Sequence, residues 1–117
     1  MNNTENYLEK NCSHQTKALT ESDLRNNLEI YNKWQIVNEK LFRKFNFNDF
    51  HQTIFFVNSI VNLIHNEDHH PILEVGYNFC NIKYNTHSVN NGTGGISEND
   101  FICAAKIDLI FQNLNLD

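Results

Sequence analysis

The segment over residues 50–64 constrains the fold of this chain more than any other. Phe50, Ile54, Val57, Val61 and Ile64 recur in alternating steps of four and three, the spacing that places side chains on one face of an α-helix. Phe56, Ile60 and Leu63 widen that face, as expected of a helix covered on more than one side. Asn48 or Asp49 can cap its start through a side-chain oxygen. Pro71 sets its end, because the residue before a proline avoids helical angles. A helix this apolar needs a surface to lie on, and its flanks supply one. Residues 34–37 and 41–47 read as strands joined by a tight turn at Asn38-Glu39-Lys40, with Lys40, Arg43 and Lys44 as solvated hairpin cations.

Beyond Pro71 come two extended segments. In the second, Cys80, Ile82, Tyr84 and Thr86 alternate with Asn81, Lys83, Asn85 and His87, the pattern of a half-buried strand with one polar face. Residues 90–95 read as a flexible loop. Ser97 then opens a last helix, with Phe101, Ala104, Ile107 and Phe111 on its buried side. Near the start, Thr20 can cap a short helix in which Leu24 and Leu28 share a face. The order is α-β-β-α-β-β-α. It predicts an α+β fold, a four-stranded antiparallel sheet with three helices packed on one face. Residues 1–18 are polar and Asn-rich and read as a loose N-terminal tail, leaving residues 19–117 as a single domain.

The chain has 117 residues, 40% hydrophobic and 20% charged, an ordinary balance for one globular domain. A net charge of −5 argues against binding to a nucleic-acid backbone. No apolar run approaches the length of a membrane span, and residues 1–10 lack the apolar core of a secretory signal. Cys12, Cys80 and Cys103 are odd in number and widely spaced, which favours reduced, inert thiols in the cytoplasm over a disulfide framework or zinc ribbon.

The chemistry-bearing residues cluster late: His65-x3-His69-His70-Pro71-x5-Tyr77-x9-His87-x12-Asp100. Histidine titrates nearest neutrality, so such a cluster points to proton transfer or to metal binding. His14, in the tail, and His51, on an exposed helix face, read as surface residues. His69 and His70 could instead serve a helix C-terminus, where imidazolium complements the dipole. His65 and His69 would share a face at i and i+4 if the helix continued, and could then chelate a metal. Glu67 is one place too far along for the general base of a zinc-protease helix. Asp100 completes a capping box with Ser97, and Tyr77 reads as a packing residue.

Read with its flanks, this pattern resembles the pterin-4a-carbinolamine dehydratase family. Trp34 matches the tryptophan of its first strand. The basic, aromatic run from Leu41 through Arg43, Lys44 and Phe47 to Phe50 matches its second strand and the helix that follows. His69-His70-Pro71 matches its histidine pair and proline, Tyr77 the aromatic before its last strand, and Thr86-His87 its Thr-His. Gly94-Gly95-Ile96-Ser97-Glu98-Asn99-Asp100 matches its entry to the last helix. The similarity spans roughly residues 20–114. Two features depart from the family pattern. His65 stands where many members carry an acidic residue, with Glu67 two positions displaced, and the loop over residues 88–93 is longer than usual.

The resemblance implies dehydration of 4a-hydroxytetrahydropterin to quinonoid dihydropterin, a hydro-lyase step in tetrahydrobiopterin recycling. It implies His69, His70 and His87 as the acid–base set. Asp68, Asn85, Thr86, His87 and Ser88 would join the histidine pair around the pterin, with His65, Glu67 and Asp100 in support. It implies no cofactor and no metal, the pterin being substrate, and a homodimer or homotetramer. The alternative from another class is a non-catalytic interaction protein. It would act as a dimerisation cofactor of a transcription factor through exposed helices, or serve another pterin pathway such as that of molybdopterin.

Overall fold

A computed structural model describes residues 6–116. Its regular elements are α1 (Glu21–Ile30), β1 (Gln35–Val37), β2 (Lys40–Asn46), α2 (Phe50–Glu67), β3 (Ile72–Val75), β4 (Phe79–Tyr84) and α3 (Glu98–Leu114), preceded by a 3₁₀ turn over Tyr7–Glu9. The strands form one antiparallel sheet in the order β1-β2-β4-β3. This is the expected α+β arrangement. Asn38 and Glu39 both take positive φ, 50° and 64°, the two-residue turn whose twist suits a hairpin. Lys40 already pairs with Val37.

Alternation decides which sheet face is covered. Leu41 and Phe45 on β2, with Cys80, Ile82 and Tyr84 on β4, are buried. Against them lies α3, where Phe101, Ile102, Cys103, Ala104 and Ile107 are fully buried. Phe45 packs on Phe56 of α2 with ring centroids 4.6 Å apart, and Phe111 meets Phe56 edge-on. Trp34 lies just before β1, and its indole N–H donates to Asp108 Oδ1 at 2.9 Å. Asp49 caps α2, its side chain accepting from the Gln52 N–H. Thr20 caps α1 in the same way, accepting from the Asp23 N–H.

Three expectations are corrected. The residues of α2 that enter the core are Thr53, Phe56, Ile60 and Ile64. Phe50 and Val61 remain 51% and 49% exposed. The apolar stripe is therefore real, but its axis is turned about a quarter turn from the buried face at 3.6 residues per turn. Arg43 is not a solvated hairpin cation. It sits on the covered face, bonds Asp108 Oδ1 at 2.6 Å and lies 4.1 Å from the Phe45 ring centroid.

Residues 6–18 are not a loose tail. Tyr7 is buried between Tyr31 and Phe101, its hydroxyl accepting from the Asn27 side-chain amide at 3.0 Å. The chain then follows α3: Ser13 N–H donates to Asn99 Oδ1 at 3.1 Å and Asn99 Nδ2 to Ser13 O at 2.7 Å. Residues 10–15 form a strap held by polar bonds to distant side chains. Such bonds impose no hydrophobic period on the strap's own sequence.

Candidate active site

The site begins where α2 stops. Asp68 takes a left-handed conformation, φ 51°, a common way for a helix to end. The turn directs His69 back towards the first turn of α3. There the predicted capping box is present, with Asp100 Oδ2 accepting from the Ser97 N–H at 2.9 Å. Asp100 does more than cap. Its Oδ1 lies 2.6 Å from His69 Nε2, and its Oδ2 also accepts from Thr86 Oγ1 at 3.0 Å. Because Thr86 spends its proton on Asp100, Ser97 is the donor in the 2.6 Å Thr86–Ser97 hydroxyl contact, each hydroxyl having one proton to give.

Asp100 is fully buried, and a buried carboxylate is costly unless fully paired. Its three partners meet that requirement. Burial by itself would lower the His69 pKa, but the hydrogen bond and charge of Asp100 outweigh it and hold the imidazole above its ordinary value. The ring is fixed further by stacking on Tyr84, centroids 5.1 Å apart, while the Tyr84 hydroxyl donates to the His69 carbonyl at 3.2 Å. With Nε2 engaged, Nδ1 is the nitrogen left for other chemistry.

His69 opens onto a cavity of about 530 Å³, lined also by Glu67, Asp68, His70, Asn85, Thr86, His87 and Ser88. The structure thus brings together the residues that the sequence pattern singled out on either side of β3 and β4. His70 and His87 are exposed at its rim. Glu67 bonds Lys106 Nζ and the Cys12 N–H. Burial pushes its carboxyl up, but these two donors hold it below the usual range.

One expected site residue falls elsewhere. His65 is exposed and does not line the cavity. The helix ends at Glu67, so His65 and His69 do not share a face and cannot chelate as an i, i+4 pair. Among the described residues, no cluster of three or more metal-ligating side chains forms. Tyr77, expected as a packing residue, is instead 65% exposed; its carbonyl accepts from Thr53 Oγ1 at 3.0 Å.

The sequence pattern missed one whole wall. Cys12, Ser13, His14 and Gln15 of the strap, with Asn99, complete the cavity, and Ser88 Oγ bonds the Gln15 carbonyl across it. No periodicity or motif in the strap announced this. The loop that follows His87 is tied back on itself by hydrogen bonds. Gly92 and Gly94 take φ of 85° and 95°, the conformation glycine adopts without penalty. Reciprocal bonds between Thr86 and Gly95 close the loop.

Comparison with known proteins gives the same result from another direction. The family model for pterin 4 alpha carbinolamine dehydratase matches residues 17–110. A protein of Bdellovibrio bacteriovorus, provisionally named pterin-4-alpha-carbinolamine dehydratase, is 49% identical over 97% of this chain and 93% of its own length. A protein of Nitrosospira multiformis with the same provisional name is 40% identical over 88% of each chain. The crystal structure of a transcriptional coactivator/pterin dehydratase from Brucella melitensis superposes with a TM-score of 0.72 at 31% identity, covering 80% of this chain and 98% of that one. The histidine cavity, the sheet order and these likenesses agree: the chain belongs to the pterin 4 alpha carbinolamine dehydratase family.

Proposed function

We propose that this cavity dehydrates 4a-hydroxytetrahydropterin to quinonoid dihydropterin, the step expected in tetrahydrobiopterin recycling. The single observation that supports it best is the His69–Asp100 pair opening onto a cavity that His70 and His87 also line. The reaction needs two proton movements. The 4a-hydroxyl must gain a proton to leave as water, and N5 must lose one as the C4a–N5 double bond forms. Asp100 holds His69 towards its protonated form, so His69 supplies the acid through Nδ1. His70 or His87, at the rim, accepts the N5 proton. Asn85, Thr86 and Ser88 on one side and Asp68 on the other orient the pterin. Positioned acid–base groups of this kind are worth about 10²–10⁴-fold in rate. The pterin is the substrate in this reading, and the chemistry requires no further cofactor.

The test is turnover of chemically prepared 4a-hydroxytetrahydropterin by the purified protein, followed by the appearance of quinonoid dihydropterin. A rate no faster than the uncatalysed dehydration, from correctly folded protein, would sink the reading. It would favour a second one, a non-catalytic role as a partner of a transcription factor, in keeping with the Brucella protein's being named a transcriptional coactivator as well as a pterin dehydratase. A cytoplasmic enzyme fits the three unpaired thiols. Among the described residues, no helix is long and apolar enough to cross a membrane.

Self-association belongs to the same proposal. The stripe of Phe50, Ile54 and Val61 lies along one side of α2, much of it exposed. A second copy of α2 presenting the same stripe across a two-fold axis would cover it. Light scattering should find a dimer or tetramer at micromolar concentration, and Val61→Asp should convert it to monomer. A wild-type monomer would overturn this part alone.

A further inference from the structure

We propose that Cys12 and Cys103 are a dithiol that closes reversibly into a disulfide, fastening the strap wall of the cavity to α3. The two Sγ atoms already touch, 3.7 Å apart, although the residues are 91 apart in sequence. A disulfide needs about 2.0 Å between the sulfurs, so less than 2 Å of closure remains. The two partners differ in exposure. Cys103 is fully buried on α3, one turn after Asn99 and Asp100. Cys12 lies in the strap, outside any helix or strand, half-buried on the cavity wall. Its partial exposure on the cavity wall lets it meet a small oxidant. The strap's polar bonds, Ser13 with Asn99 and the Cys12 N–H with Glu67, hold the sulfur in place beforehand.

The electrostatics of the pair support this geometry. The contact with Cys12, the Tyr84 hydroxyl and the nearby His69 hold the Cys103 thiol below its ordinary value against the effect of burial. The same contact, burial and the Glu67 carboxylate push Cys12 up. Exposure assigns the roles: Cys12, on the cavity wall, is the sulfur an oxidant meets first, and Cys103, fully buried beside it, is the resolving sulfur. Cys80 offers no such chemistry. It is fully buried on β4, where burial raises its thiol to about 11.

The oxidant is a low-molecular-weight disulfide. The Cys12 sulfur gives up its proton as it attacks one of its sulfurs, forming a mixed disulfide; the displaced sulfur takes that proton and leaves as one thiol. Cys103 then attacks Cys12 Sγ, forming the internal bond and expelling the second thiol. The two protein thiols give up two electrons and two protons. The external disulfide takes both pairs and leaves as two thiols.

Folded, reduced protein would be incubated with glutathione disulfide, alkylated and mapped by peptide mass spectrometry. The expected product is a Cys12–Cys103 cross-linked peptide with Cys80 alkylated, reversed by dithiothreitol. Its melting temperature should exceed that of the reduced protein, since the bond closes a long span of chain. Cys103→Ser should stall with glutathione on Cys12, and Cys12→Ser should take up none. Three alkylated thiols after oxidation of the wild type, a lasting glutathione adduct there, or a bond involving Cys80 would each overturn the proposal. The wild-type map decides the matter even if a serine variant misfolds.

Discussion

At the floor of the cavity His69 meets a buried carboxylate; at its rim His70 and His87 meet solvent. The three rings are the same chemical group within one short stretch of sequence, yet the fold makes them unequal. The floor is a closed network in which both Asp100 oxygens are engaged, by His69 on one side and by Thr86 and the Ser97 N–H on the other. The rim is open to whatever enters. A buried partner fixes a tautomer and biases a proton, whereas a ring at the rim is open to contact with whatever occupies the cavity. The difference teaches that a histidine motif names candidates, while burial and partners assign their work.

The most damaging way to break this contrast is to remove the floor ring. His69→Ala should slow turnover by about 10²-fold or more, the usual cost of a general acid–base group, with the circular dichroism spectrum retained. Steady-state kinetics with the carbinolamine decide it, and near-wild-type rates would return His69 to a structural role.

Asp100→Asn should be next in size. It keeps the shape of the side chain and removes the charge that holds His69 up. Turnover should fall by on the order of 10-fold to 10²-fold, as when a group orienting an acid–base residue is lost. A loss of about 1–3 kcal/mol of stability should accompany it, because buried bonds are left mismatched. The diagnostic readout is the pH–rate profile. With the His69 pKa lowered, the basic limb should move to lower pH, which a purely structural loss would not produce.

A smaller effect concerns stability against pH. The folded-state pKa of His69 is raised above 6.5. Its pairing therefore stabilises the fold fully below the unfolded value and less as pH rises through the folded one. The melting temperature of the wild type relative to His69→Gln should be greatest on the acid side of 6.5 and should shrink towards alkaline pH. A difference that grows with pH would reverse the assignment of charge in the pair.

The smallest expected effect sharpens the boundary of the site. A carboxylate at position 65 would raise a neighbouring imidazole if the two shared a helical face. They do not, because α2 ends at Glu67 and His65 lies outside the cavity. His65→Glu should leave the pH–rate profile unchanged. A shift of its acid limb would show that the rim senses charge beyond the cavity wall.

Much of the architecture could be read from the chain because local rules express it. Alternation from Cys80 to Tyr84 gave a strand with one covered face, and the cap residues Thr20, Asp49 and Ser97 marked helix starts correctly. Each is a short-range property of the backbone. The signature histidines could be picked out because their spacing is local as well. Arg43 could not be placed, since whether a strand cation is solvated depends on an acid, Asp108, from a distant helix. His14 and Cys12 could not be placed either, because nothing within the strap specifies Asn99 or Glu67 as its partners.

The sequence by itself therefore determined the element order, the family resemblance and the set of residues able to carry protons. The tertiary structure decided which side of the α2 stripe is buried, that residues 10–15 form a wall, and that His69 alone of the three signature histidines pairs with Asp100. Periodicity and capping act over a few residues and are written locally. Burial and pairing join residues far apart in sequence, such as His69 to Asp100 and Cys12 to Cys103, and exist only once the chain has packed.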